Sequence, residues 1–380
     1  MIYFDNAATT AVKPPEVAEA VARAVNSFGG AGRGVHEASL DAGYAVFRAR
    51  QQLARLLGAG DPSRVAFASN ATEALNTAIV GLARPGDKLV TTAASHNSVL
   101  RPLYRLADER GCEVVVVPHD ARGALDYDAL EAALPGARLA AVTHASNLTG
   151  DVYDIARIAR LCREHGALLV ADAAQTAGVV PIDMGRDGLD VVAFTGHKSL
   201  YGPPGHGRPR RGGRRGDRAA EGGRLRDAKL RPAPSRAHAR APGGRHAERP
   251  RHRRLERGAR LYRGARRGGA GRAGARAGRA LRARRARHRR RARAGAEAGT
   301  RGAAASWRST WAMRTLRQLA TRSTPSCGIC TRAGAHCAPL MHEALGTQRQ
   351  GAVRFSFSSF NTEDEVDAGI AAVAAIAEEA

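Results

Sequence analysis

Short apolar runs recur along the first half of the chain, each ending at a small or polar residue and each followed by a stretch of helical periodicity. Arg64–Ser69, Lys88–Thr92, Glu113–Val117, Arg138–Thr143, Leu168–Ala171 and Val191–Phe194 read as strands on this pattern. Before them, Tyr3–Thr10 is a short strand running into a loop of small residues, which let backbone approach a ligand closely. Pro14–Asn26 reads as an amphipathic helix whose prolines suit its first turn. The glycine-rich loop Gly29–His36 precedes a longer helix through Leu57, and Asn70-Ala71-Thr72-Glu73 opens a third helix. Near the end, Thr362–Ala380 is a closing helix capped by Asn361 or Thr362, with acids in its first turn. Strands alternating with helices predict βαβ crossovers and a mostly parallel sheet.

The strand ends carry the candidate chemistry. In Asp190–Gly205 the apolar run stops at Thr195-Gly196-His197-Lys198 and a Gly/Pro-rich turn follows. That places Lys198 where open α/β sheets bind ligands. A lysine desolvated there has a lowered pKa and can form a Schiff base with an aldehyde, which is how pyridoxal phosphate is held. Taken by itself, Lys198 is equally a solvated strand-end lysine. Upstream, Ala167–Gly178 is a strand ending in Asp172, with Gln175 just beyond. A carboxylate there can pair with a protonated pyridine nitrogen, or can simply cap the strand. The backbone N–H groups at Ala71 and Thr72 form a helix start suited to a phosphate, where Asn70 also supplies ordinary capping. Gly29–His36 lacks P-loop spacing and no strand precedes it.

The segments YFDNAATT, RGVHEAS, SNATEALN, SHNSVLRP, HASNLTG, DAAQTAG and FTGHKSLYGPPG, then ICTRAGAHCAPL and GAVRFSFSSFNTEDEVD, together resemble the class V aminotransferase family of fold-type I pyridoxal phosphate enzymes, within it the cysteine desulfurase and selenocysteine lyase group. The resemblance implies a fold-type I α/β architecture: a large domain with a mostly parallel sheet flanked by helices, and a smaller C-terminal α+β domain. It divides the chain into an N-terminal segment 1–15 bordering the active site, an incomplete large domain 16–206, a block 207–327, and the end of the small domain 328–380. It implies pyridoxal 5'-phosphate held on Lys198. Ala71, Thr72, Thr195 and His197 fall on the phosphate side, Asp172 at the pyridine nitrogen, Gln175 and Asn147 at the phenolic oxygen, and His96 on the ring face. The resemblance also gives His96 a catalytic role in moving protons, together with Lys198 and Cys337; taken alone, His96 is a helix cap or surface group. Arg354, Arg332, His36 and Asn147 match substrate contacts. Cys337 matches the cysteine whose thiolate takes the substrate's sulfur, its plain alternative being a buried cysteine. The implied activity converts L-cysteine to L-alanine with persulfide formation, with selenocysteine lysis or another class V reaction as alternatives. The implied partners are a sulfur-acceptor protein and a second copy in a homodimer.

Charge changes this picture in one place. The chain of 380 residues carries a net charge of +25. Residues 1–206 and 328–380 are each slightly acidic, so the basic excess lies in 207–327. That block has no Val, Ile or Phe and is largely Arg, Ala, Gly and Pro. Such a composition buries too little apolar surface to offset chain entropy, so the block is expected to be disordered or misfolded. It reads as a basic nucleic-acid-binding insert, a low-complexity linker, or coding sequence translated out of frame, and the last is preferred. The family pattern stops after Pro204-Gly205 and resumes near Gly328, with about the family's spacing between. The GTxN-like motif that the family contributes to a partner's phosphate site is not found. Five sparse cysteines, no signal peptide and no membrane-length apolar run point to a cytoplasmic location. Cys327-Gly-Ile-Cys330 has CxxC spacing, but no metal is expected there.

Overall fold

The computed structural model describes residues 1–204, 306–309 and 328–378. These all fall in one compact unit of the chain. Five strands form a parallel sheet: β2 (Lys88–Thr92), β3 (Glu113–Val117), β4 (Ala137–Thr143), β5 (Leu168–Asp172) and β6 (Val191–Ala193), in the order β3-β2-β4-β5-β6. Their apolar residues divide between two cores. Leu89, Leu139, Ala141 and Val170 enter the cluster that holds Leu75, Ile79, Val99 and Leu103. Val90, Ala140, Val142 and Leu169 enter the other, with Leu53, Leu130, Ile158 and Leu161. Both faces of the sheet are therefore covered, which is why these strands read as unbroken apolar runs.

The covering helices are α1 (Pro15–Ser27), α2 (Glu37–Leu57), α3 (Ala71–Leu82), α4 (Asn97–Arg110), α5 (Tyr127–Ala133), α6 (Ile155–Glu164) and the short α7 (Met184–Asp187). Asn70 caps α3 by accepting from Glu73 N, and the Glu73 carboxylate accepts in return from Ser69 N. The pair is close to a capping box, with the carboxylate reaching one residue further back than the cap itself. The chain order runs from β2 outward to β3, then back across to β4, β5 and β6. The direction of winding thus reverses between β2 and β4, and such a switch point opens a crevice at the carboxyl ends of the strands.

The expected strand Arg64–Ser69 is not one. Pro62–Arg64 is a single 3-10 turn, and Val65 continues extended with no strand beside it among the described residues. Val65 and Phe67 still pack on the core, so their apolar pattern reports burial without a ladder.

Two small sheets gather the ends of the chain. β10 (Ala352–Ser356) pairs antiparallel with β7 (Ser306–Ser309) and with β9 (Arg332–Gly334). The N-terminal β1 (Ile2–Tyr3) pairs in parallel with β8 (Ile329–Cys330). α8 (Pro339–Ala344) follows β9, and α9 (Glu363–Glu378) closes the chain. Phe4 packs edge-on against Phe357, with ring centroids 4.9 Å apart, in a core shared with Ile329, Val353, Phe355 and Val366. Of the two expected caps for α9, Thr362 is used: its Oγ1 accepts from Glu365 N and its N–H donates to the Glu365 carboxylate. The expectations that 207–327 is disordered, misframed or nucleic-acid-binding fall almost wholly outside the described residues. Within that block Ser306–Ser309 is described, and it is a strand.

Candidate active site

Four of the five parallel strands, β2, β4, β5 and β6, lead into one crevice, and none of its lining residues follows β3. Asn70, Ala71, Thr72, His96, Asn147, Asp172, Gln175, Thr195, His197 and Lys198 line one cleft with about 570 Å³ of empty space, part of it open to solvent. The expected cofactor-site residues are therefore brought together. Lys198 lies on a loop closed by Gly202 N donating to Gly196 O at 2.7 Å. A Cβ at Gly202 would fall 2.8 Å from that carbonyl, so only glycine fits. The N-terminal segment straps the loop from outside: Thr10 Oγ1 donates to Lys198 O at 2.9 Å, and Thr9 Oγ1 to His197 O at 3.3 Å. Lys13 also donates to His197 O, at 3.3 Å, and to Thr10 O.

Burial sets the electrostatics. Desolvation pulls Lys198 down to about 8 against the opposing attraction of Asp172, and the charges of Arg354 and Arg332 push the same way as burial. Desolvation also raises Asp172, although Ala174 N and Lys198 favour its anion. One Asp172 oxygen accepts from Ala174 N at 2.9 Å. Desolvation first, then Lys198, hold His96 down at about 4. Its Nδ1 accepts from Ser98 N at 3.0 Å, and Ser98 Oγ in turn lies 2.8 Å from Thr72 Oγ1. His96 therefore caps α4 and lines the cleft at once, so the two readings of this residue coexist. His197 is likewise lowered to about 4 by burial and by Lys198 and Lys13, with its Nδ1 3.0 Å from Thr9 Oγ1. Gln175 donates to Ala7 O at 3.1 Å.

The remaining expected residues sit around the cleft. Arg354 is 2 % exposed; it donates to Asp5 Oδ1 at 2.8 Å and to Asn147 O at 3.0 Å. Arg332 is exposed on β9, directly across the ladder from Arg354. Cys337 is exposed on the turn between β9 and α8. That turn is no free loop: Asn97 N donates to Cys337 O at 3.0 Å and Asn147 Nδ2 to His336 O at 2.6 Å. His36 stands apart, exposed at the start of α2 with its Nε2 3.2 Å from Ser39 Oγ. Lys13, Ser98, Thr143 and Asp5 were not foreseen. Only Asp5 carried a usable signal, a lone carboxylate in a stretch of small residues. Among the described residues no cluster of side chains suits a metal ion, and no helix is long and apolar enough to cross a membrane.

The cleft has the composition that a phosphorylated aldehyde cofactor needs: a desolvated amine, a buried carboxylate, a capped helix start and the unpartnered buried oxygens Asn147 Oδ1 and Thr143 Oγ1. The sequence profile of aminotransferase class-V matches residues 2–208 and 316–368, more than half of the chain. The chain belongs to the class V aminotransferases. The match is interrupted after residue 208 and resumes at 316, somewhat earlier than the motif at Gly328 suggested. A probable cysteine desulfurase of Aeropyrum pernix is 41% identical over 214 residues, 54% of this chain and 51% of that protein. Cysteine desulfurase IscS of Methylococcus capsulatus is 37% identical over 211 residues, 54% of this chain and 52% of that one. The chain thus matches about half the length of these curated relatives. The apo cysteine desulfurase of Thermococcus onnurineus NA1 superposes with a TM-score of 0.83 at 26% identity, covering 100% of this chain and 95% of that structure.

Proposed function

We propose that this class V aminotransferase is a pyridoxal phosphate-dependent cysteine desulfurase, converting L-cysteine to L-alanine and passing the sulfur to Cys337. The observation that carries this reading is the desolvated Lys198 beside buried Asp172, in a cleft whose rim residue Asn147 also holds the turn bearing Cys337. Bound here, pyridoxal phosphate supplies an electrophilic aldehyde carbon and an electron-accepting ring. Lys198 would hold it, its lowered pKa making the neutral amine far more available than in an ordinary lysine, and would then move the proton at the substrate's Cα. Asp172 would meet the ring nitrogen, while Ala71 and Thr72 at the start of α3, with Thr195 and His197, would take the phosphate. Neutral His96 would cover a ring face. Arg354 and Arg332 would receive the substrate carboxylate, a task suited to planar forked donors. The Cys337 thiolate would attack the substrate sulfur: one C–S bond breaks, one S–S bond forms, and a proton returned to carbon completes alanine. The names of the relatives weigh toward cysteine and away from selenocysteine lysis or other class V reactions.

A homodimer fits the stripe on α2, where Leu40, Tyr44 and Phe47 are 47%, 61% and 53% exposed. The interruption of the family match between residues 208 and 316 supports the reading of that stretch as out-of-frame coding sequence. Resequencing the gene should recover a frame that encodes apolar strand patterns there; an unaltered reading with no such frame would overturn it.

The test of function uses the chain as it stands. With pyridoxal phosphate it should gain a visible absorbance band that borohydride fixes covalently on Lys198, and should sediment as a dimer. L-Cysteine should then yield alanine with sulfane sulfur on Cys337. Lys198→Ala should lose the band and about a thousandfold or more of the turnover, as removal of a covalent anchor does. Cys337→Ser should keep the band and lose the persulfide. A wild-type chain with no band would sink the proposal for this chain.

A further inference from the structure

The turn that carries Cys337 is held in a conformation its residues do not favour. His336 and Cys337 have φ of 50° and 56°, consecutive residues in the left-handed region that side chains bearing a Cβ avoid. Backbone of this kind persists only where its surroundings fix it. Two contacts do so, and both come from the carboxyl ends of the parallel strands. Asn147, after β4, donates from Nδ2 to His336 O at 2.6 Å, and Asn97, after β2, donates from its backbone N–H to Cys337 O at 3.0 Å. His336 adds an anchor on the other side, its Nε2 lying 3.0 Å from Ala352 O of β10.

Asn147 is the connecting piece. It is 9 % exposed, it lines the cleft, its backbone carbonyl accepts from Arg354, and its Oδ1 is buried with no hydrogen-bond partner. The amide therefore spends one N–H on the cysteine turn while its oxygen remains available to whatever fills the cleft.

We infer that Asn147 and Asn97 are positioning residues for the Cys337 sulfur, which they hold at the rim of the cleft by clamping the two carbonyls of a strained turn. What that position serves rests on the desulfurase reading; the clamp itself does not. One consequence is that releasing either carbonyl lets the turn relax out of the left-handed region and moves the thiol away from the cleft; released through Asn97, which does not line the cleft, substrate binding stays intact.

The experiment compares two variants of the full chain with wild type. Asn147→Asp keeps the shape and the acceptor but removes the donor. Asn97→Pro removes the N–H to Cys337 O along with the Asn97 carboxamide: residue 97 is the first of α4, a position that tolerates proline, and His96 already has the extended backbone that precedes one. Asn97→Ala, which keeps the N–H, is the control for the side chain. Without cofactor or substrate, the rate of Cys337 alkylation by iodoacetamide is followed by mass spectrometry, with Cys330 on the same chain as internal standard. Each variant should change the Cys337 rate about fivefold, the factor corresponding to one net hydrogen bond, with the Cys330 rate unaltered. With pyridoxal phosphate and cysteine, Asn97→Pro should lower kcat for persulfide formation with KM unchanged. If Asn147→Asp does not fold, as judged by circular dichroism, Asn97→Pro carries the test. Unchanged alkylation of Cys337 in a folded variant, or altered alkylation with unchanged kcat, would overturn the inference. A chain that is no desulfurase would show altered alkylation with no turnover in wild type, which separates the two failures.

Discussion

The parallel sheet and the two small sheets made by the chain's ends place their residues by opposite means. In the parallel sheet each strand is local: β4, β5 and β6 follow one another in sequence and in space, and their chemistry is set by where they stop. In the terminal sheets β1 meets β8, β10 meets β7 and β9, and Asp5 meets Arg354 across nearly the whole sequence. The first sheet makes its site by burying groups. The terminal sheets hold Arg354 and the turn of Cys337 beside that site through a few specific hydrogen bonds. Robust packing thus supports the cofactor residues, and discrete polar contacts support those that would handle substrate and sulfur.

The contact whose loss should separate the sheets most is Asp5–Arg354. The guanidinium is buried, desolvation lowers its pKa, and Asp5 is the side chain opposing that shift most strongly. Asp5→Ala leaves the charge without its partner, which for a buried pair costs about 3 kcal/mol or more. Hydrogen exchange should accelerate in β9 and β10 while β4 and β5 keep their protection. Equal acceleration in both sheets would show that the two regions are energetically one, and would break the comparison.

The same division explains what the sequence disclosed. β2 and β3 fall on the predicted residues, and β4, β5 and β6 within a residue of them, because strands buried on both faces leave unbroken apolar runs. The cleft residues were legible because they stand at the ends of those runs within segments that resemble a known family. Arg64–Ser69 misled for a related reason: Val65 and Phe67 are apolar and packed, but pattern reports burial and is blind to the partner a strand requires. The tether from Asn147 to the cysteine turn was not legible at all. It joins a side chain to a backbone carbonyl 189 positions away, and a carbonyl has no identity in sequence. Lys13 was missed likewise, since its donation to His197 O depends on how the N-terminal strap folds over the lysine loop.

A smaller effect probes the parallel side of the comparison, where burial governs even when no function uses it. His119, just past β3, is 7 % exposed, lies edge-on to Tyr153 with centroids 5.1 Å apart, and has neither ring nitrogen hydrogen-bonded. Desolvation holds it down at about 4, against the opposing charge of Asp120. An unfolded chain takes up this proton near pH 6.5 and the folded one only near 4, so the unfolded state binds more protons between those values and stability falls as pH falls through that window. Below it, this group adds no further loss. His119→Leu removes both unsatisfied nitrogens, a gain of roughly 1–3 kcal/mol, and gives up the aromatic contact, a loss of roughly 0.5–1.5 kcal/mol. The variant should therefore be more stable than wild type by about 1 kcal/mol at pH 7, and the advantage should widen toward pH 4. Denaturant melts across that range decide the matter. An advantage that stays constant with pH would mean His119 is protonated in the fold, and that a polar partner, absent from its described surroundings, satisfies it.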